Sequence, residues 1–134
     1  MSLNRKSISF IVPCYNEEDN VEKTVNEINL AINESTIIEH EIIIVDDGSV
    51  DNTFQIINNL SKKNENIKLI RNLKNLGLGG AIKKGLSIAK LNKVMFLPGD
   101  NCHQSSEIKK LINIEDSNDL VLSYYSNPEI RKFF

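Results

Sequence analysis

Strands alternating with helices around a mostly parallel sheet, an α/β fold class with helices on both faces, are what this sequence predicts. Three observations carry that expectation. Four short runs, "SISFIVP", "EIIIV", "IKLIR" and "KVMFL", are mostly apolar and β-branched, as strands buried on both faces are. The segments between them place apolar residues at helical spacing. Polar or glycine-rich turn segments follow each run.

Taken in order, Ser7 to Pro13 form the first strand. Val21, Val25, Ile28 and Ile32 then mark a helix, with Glu17, Glu18 and Asp19 near its start, where the macrodipole favours acids. Glu41 to Val45 form the second strand. Phe54, Ile57 and Leu60 mark a second helix, which Ser49 or Asp51 is placed to cap. "IKLIR" is the third strand. Leu78, Ile82, Gly85 and Ala89 make the expected buried face of a third helix. "KVMFL" is the fourth strand, Ile108, Leu111 and Ile112 mark a short helix, and "LVLSYY" (Leu120–Tyr125) is expected as a fifth strand. Parallel connections of this kind are right-handed, which leaves few topologies.

The 134 residues suit one domain, with hydrophobic content of 40% and charged content of 25%. A net charge of −2 without a basic block argues against a nucleic-acid partner or a polybasic membrane anchor. The basic-then-apolar start meets Asn16, Glu17 and Glu18 too soon for a secretory leader, and no run reaches the length of a membrane span. Cys14 and Cys102 are too few for a disulfide framework and lack zinc spacing, so free thiols in a cytoplasmic setting are expected.

Open parallel sheets bind ligands beyond the carboxyl ends of their strands. The segments there read "PCYNEE", "DDGSVD", "NLKNLGLGGA" and "PGDNCH". Singly, each has a plain structural reading. "DDGSVDNT" makes a tight turn with a cap, and Gly80 and Gly85 let a helix approach the sheet. Glu17 and Glu18 form a solvated helix start, and His103 is a satisfied polar residue. "NLGLGGA" fails the dinucleotide fingerprint, since Ile82 stands where a third glycine is needed after Gly77 and Gly79. The Lys-Ser/Thr pair of a P-loop is missing too.

Together, "IVPCYNEE", "IIIVDDGSVDNT", "NLGLGGA" and an acidic turn after the fourth strand occur in an order that resembles glycosyltransferase family 2. The nearest flavour is the polyprenyl-phosphate sugar transferases, similar to dolichol-phosphate mannose synthase. The resemblance covers Ser7 to Tyr125. It implies the Rossmann-like, nucleotide-binding half of a GT-A fold, with strand order 3-2-1-4 plus a further strand. It also implies a UDP- or GDP-linked sugar as donor, a Mg²⁺ or Mn²⁺ cofactor, and an inverting transfer to a lipid-phosphate or saccharide acceptor. By the same resemblance, Pro13 and Tyr15 lie against base and ribose, and Glu17 accepts from a ribose hydroxyl. Asp47 accepts from the N–H edge of the base, Gly79 and Gly99 complete the nucleotide-binding set, and Asp100 is the metal ligand. His103 is a further metal or phosphate candidate.

The chemistry suits these residue types. Asp47 is favoured over Asp46 for ligand contact, Asp46 being equally suited to holding the turn. Bare carboxylates would repel a diphosphate, and a divalent cation resolves that conflict. The family's paired metal carboxylates are half present, because Pro98 or Gly99 stands where the first belongs. Lys83 and Lys84 are as well explained by solvation as by phosphate contact. The catalytic base is expected beyond Phe134, so residues 1–134 are read as one domain, truncated at its C-terminal side and inactive alone. Association of copies through the apolar sheet surface thus exposed is expected, as is membrane association of a longer protein. A non-catalytic nucleotide-sugar-binding module is the alternative, and a nucleotidyltransferase fits less well because the glycine loop has only Lys74 and Lys83 nearby.

Overall fold

The computed structural model describes residues 6–114 and 118–123. The order is β1 (Lys6–Cys14), α1 (Val21–Asn33), β2 (Ile37–Asp47), α2 (Thr53–Lys63), β3 (Ile67–Asn72), α3 (Gly77–Ile88), β4 (Lys93–Phe96) and α4 (Ser105–Ile112). The four strands form one parallel sheet in the order β3-β2-β1-β4. That is the strand order the sequence resemblance implies.

Alternation along the strands divides the core into two layers. Ile8, Phe10, Val12, Ile42 and Ile44 face one side, where Val21, Val25 and Ile28 of α1, Ile57 of α2 and Ile108 and Ile112 of α4 bury them. Ile43 and Val45 face the other side, under α3. Both faces of β1 and β2 are therefore covered, which is why their sequences run almost unbroken in apolar residues.

Three details differ from the sequence reading. First, β2 does not end at Val45. It runs on through Asp46 and Asp47, because Arg71 and Asn72 of β3 stand opposite them as cross-strand partners. Second, α3 docks through Ala81 and Gly85 rather than through Leu78, which is 65% exposed. A Cβ on Gly85 would lie 2.5 Å from Ile11 Cγ2, so the helix sits too close to the sheet for larger residues on that face. Third, the expected fifth strand is not seen over its described part. Leu120 to Ser123 are irregular and exposed, and no described segment pairs beyond the β3 or β4 edges of the sheet. Tyr124 and Tyr125 lie outside the described residues.

At the amino end of the sheet, Glu41 is buried beneath the end of α3. Its Oε1 accepts from Ser9 Oγ at 2.6 Å and from Lys90 N–H at 2.8 Å, and its Oε2 receives Lys68 Nζ. Burial raises the carboxyl pKa, but the hydrogen bonds from Lys68, Ser9 and the Lys90 N–H outweigh it and leave the group below its usual 4.5. A depressed folded-state pKa means the associated stability is present above pH 4.5 and is lost as pH falls below that value. Glu41→Gln is expected to cost about 1–3 kcal/mol near neutral pH and to flatten this part of the acid limb. Urea unfolding followed from pH 7 to pH 3 measures both effects.

Candidate nucleotide-binding rim

All four strands run parallel, so the segments after β1, β2, β3 and β4 emerge at the same edge of the sheet. Side chains and backbone then tie them together. Between the first and second segments the ties are reciprocal. Asn16 N–H donates to Ser49 Oγ at 2.9 Å, and Val50 N–H donates back to Asn16 Oδ1 at 3.0 Å. Glu17 N–H donates to Thr53 Oγ1 at 2.8 Å, and Glu18 N–H to Asp51 Oδ2 at 3.3 Å. Asn52 N–H returns a bond to Glu18 Oε2 at 3.0 Å. Neither Ser49 nor Asp51 caps α2: the N-cap is Asn52, whose side chain makes no capping bond, and Asp51, one residue earlier, accepts the Thr53 N–H at 2.9 Å. Burial raises the Asp51 carboxyl, but the bonds from Thr53 and from the backbone outweigh it and hold it below the usual carboxylate range.

The first and fourth segments meet through the sheet ladder, which persists past the end of β4. Leu97 N–H donates to Ile11 O at 3.0 Å and Gly99 N–H to Pro13 O at 3.1 Å. A Cβ on Gly99 would lie 2.3 Å from Cys14 Sγ. This contact accounts for the glycine: no carboxylate fits there without displacing Cys14. Asn101, at φ 58°, turns the chain away, and its N–H donates to Thr24 Oγ1 of α1 at 2.9 Å.

The second and third segments are joined by Asp47. Its Oδ1 accepts from Asn72 Nδ2 at 2.7 Å and from Leu76 N–H at 2.9 Å, at the start of α3. Asp47 is 3% exposed and Asp46 is fully buried. Asp46 Oδ1 accepts the Ser49 N–H at 3.2 Å, while its Oδ2 lies 3.5 Å from Arg71 Nε with no hydrogen bond formed. Arg71 in turn rests on the Phe54 ring, 4.0 Å from its centroid.

The residues singled out in the sequence distribute along this rim as follows. Pro13, Tyr15 and Glu17 occupy the β1 segment, Tyr15 half exposed and Glu17 holding Asn20 Nδ2 at 3.0 Å. Asp47 ends β2. Gly79 sits exposed in the first turn of α3, and a Cβ there would meet nothing within 4 Å. Gly99 and Asp100 follow β4, with Asp100 Oδ1 accepting the Cys102 N–H at 3.1 Å. His103 lies just before α4, its Nδ1 3.9 Å from Glu107 Oε2. Glu17, Asp46 and Asp100, from three different segments, surround Cys14 closely enough that burial and then their charges hold its thiol far above the ordinary range. This thiol stays protonated and inert. Sequence reasoning did not single out Asn16, Thr24, Thr53, Arg71 or Asn72: Asn16 and Thr53 lie inside two of the motifs, Arg71 and Asn72 just before the glycine motif, and Thr24 away from all of them.

The fold and the loop-built rim define an α/β domain of the GT-A type. A family model, "Glycosyl transferase family 2", matches residues 9–132, and the chain belongs to that family. A dolichol-phosphate mannosyltransferase of Pyrococcus furiosus is 33% identical over 116 residues, spanning 86% of this chain and 32% of that protein. The structure of S. aureus TarS 1-349 in complex with UDP-GlcNAc superposes with a TM-score of 0.60 at 30% identity, covering 71% of this chain and 27% of that one. The mannosyltransferase PcManGT from Pyrobaculum calidifontis, in complex with GDP-Man and Mn²⁺, shares the fold at a TM-score of 0.63 and 22% identity, over 73% of this chain and 28% of that one. The chain spans less than half the length of the curated relatives it matches.

Proposed function

We propose that this rim binds the nucleoside-diphosphate part of a sugar nucleotide, with a divalent cation, for inverting glycosyl transfer to a lipid-phosphate or saccharide acceptor. The observation that carries the reading is the placement of Asp47 and Asp100 on one rim, two strand positions apart in the order β3-β2-β1-β4. Strand spacing makes that separation about 10 Å. An extended nucleoside diphosphate spans such a distance with its base at one carboxylate and its phosphates at the other. The base lies over Asp47, with Gly79 on its far side. The ribose lies at the β1 segment, where Glu17 accepts from a hydroxyl and Tyr15 offers an exposed ring. The diphosphate lies toward Gly99 and Asp100. TarS, which binds UDP-GlcNAc, and the Pyrococcus mannosyltransferase support the donor class and a lipid-linked acceptor respectively.

The donors beside the phosphate position suit a hard cation in kind. Asp100 offers an exposed carboxylate, and the neighbouring Asn101 Oδ1 is a buried oxygen with no hydrogen-bond partner. They do not suffice in number, since no group of three metal-binding side chains occurs among the described residues. Mg²⁺ and Mn²⁺ sites of this kind are completed by substrate phosphates. Asp100 would hold the ion, which when bound supplies positive charge to a leaving diphosphate. None of the described residues is assigned as the base.

Calorimetric titration with UDP, UDP-GlcNAc, GDP and GDP-mannose, with and without Mn²⁺, tests this. Binding of at least one nucleotide is expected to strengthen with Mn²⁺, and Asp100→Ala is expected to remove that gain, about tenfold or more. No binding under either condition would overturn the reading. Metal-independent binding would favour a non-catalytic nucleotide-sugar module, the alternative that the single metal carboxylate supports.

A further inference from the structure

The two adjacent aspartates that end β2 have different partners across the β2–β3 ladder. Asp46 stands opposite Arg71, and Asp47 stands opposite Asn72. The cation lies against Asp46. Asp47 receives only neutral donors, the Asn72 amide at 2.7 Å and the Leu76 N–H at 2.9 Å, and both go to the same oxygen, Oδ1. No ion pair among the described residues involves Asp47.

This has two physical consequences. Two donors fixed on one oxygen stop the carboxylate from rotating, so Oδ2 keeps a single direction. Neutral donors also leave the full negative charge in place, whereas a guanidinium would cancel it. A fixed, charged acceptor favours a ring N–H and opposes a ring nitrogen carrying a lone pair. Uracil and guanine present such an N–H on the pairing edge, and cytosine and adenine present the lone pair. Asn72 itself is 6% exposed and is held beneath the surface by the strand.

We propose that Asn72 is a positioning residue for nucleobase selection: it aims the Asp47 carboxylate and thereby makes the rim choose uracil or guanine over cytosine or adenine. This rests on the nucleotide-binding reading given above. Asn72 touches Asp47 and acts through it.

The test is calorimetric titration of the 134-residue chain and its Asn72→Leu variant with UDP, GDP, CDP and ADP, folding being checked by circular dichroism. The wild-type chain is expected to prefer UDP or GDP over its lone-pair counterpart, CDP or ADP, by about tenfold or more. Asn72→Leu, nearly isosteric but without donors, is expected to lose most of that preference, weakening the favoured nucleotide about tenfold while changing the disfavoured one little. Should the leucine variant not fold, Asn72→Gln carries the same test. It keeps the amide but moves it outward by one methylene, and a smaller loss in the same direction is expected. Equal weakening of all four nucleotides, or an unchanged ratio, would overturn the inference and leave the nucleotide-binding reading standing. A wild-type chain that binds nucleotides without base preference would do the same. A wild-type chain that binds none would overturn both.

Discussion

Gly48→Ala is expected to destabilise the protein by about 2–5 kcal/mol and to weaken nucleotide binding with it. Two effects add. Gly48 has φ +75°, a left-handed conformation that costs an alanine roughly 1–2 kcal/mol. The added Cβ would also lie 2.7 Å from Asn75 N and 2.7 Å from the Lys74 carbonyl carbon. These are backbone atoms, so no side-chain rotation relieves the clash, and the segment before α3 must move as a whole. Leu76 is the next residue along, and its bond to Asp47 would be strained or lost. Gly79→Ala is the control. Nothing lies within 4 Å of a Cβ there, and replacing a helical glycine is expected to stabilise by up to about 1 kcal/mol. Urea denaturation of both variants, with UDP titration of Gly48→Ala alone because Gly79 lines the proposed base site, separates the outcomes. A Gly48→Ala variant within about 0.5 kcal/mol of wild type would show that the third segment yields freely and is not clamped to the second.

The scaffold was legible because its strands are buried on both faces. Phe10, Val12, Ile42, Ile43 and Ile44 leave no polar face, and that continuous pattern separates a covered parallel sheet from an alternating one. Helix α1 was legible for the opposite reason, since Val21, Val25, Ile28 and Ile32 lie on one stripe. Helix α3 misled. Its leucines outweigh its small residues on any hydrophobicity count, yet the close approach of Ile11 reserves the buried face for Ala81 and Gly85. Hydrophobic periodicity measures affinity for a core and not the room available in it.

At the rim, the motif residues were visible as carboxylates and glycines in turns. Their supports were not. Ser49, Thr53, Thr24 and Asn72 act through single hydrogen bonds to segments between 25 and 77 residues away, and composition does not mark such pairs. The expectation that β2 would stop before its aspartates failed for a related reason. Charged residues seldom continue a buried strand, but Arg71 and Asn72 stand opposite these two. Cross-strand pairing is a property of the sheet and cannot be read from the second strand alone.

The sharpest separation of binding from support lies in those two aspartates. Asp47→Ala is expected to weaken the preferred nucleotide by about 2–3 kcal/mol, roughly 30- to 150-fold, because the proposed charge-assisted hydrogen bond to the base disappears. It also strands the Asn72 amide and the Leu76 N–H, so a stability loss of about 1–2 kcal/mol accompanies it. Asp47→Asn isolates the charge, since its amide oxygen can still accept both internal donors. Its stability is expected to stay within about 1 kcal/mol of wild type, while binding still falls about tenfold. Asp46→Asn should invert the pattern. Asp46 is fully buried and its Oδ2 faces Arg71 without a hydrogen bond, so its loss is felt in the turn and in the hold on Arg71. Stability should drop by about 1–3 kcal/mol, with affinity changed less than about threefold once the fraction folded is accounted for. Denaturation midpoints and titrations of the three variants decide the matter. Affinity lost at position 46 and kept at position 47 would mean that the arginine-faced carboxylate meets the ligand, and that Arg71 must swing away from Asp46 for the base to enter.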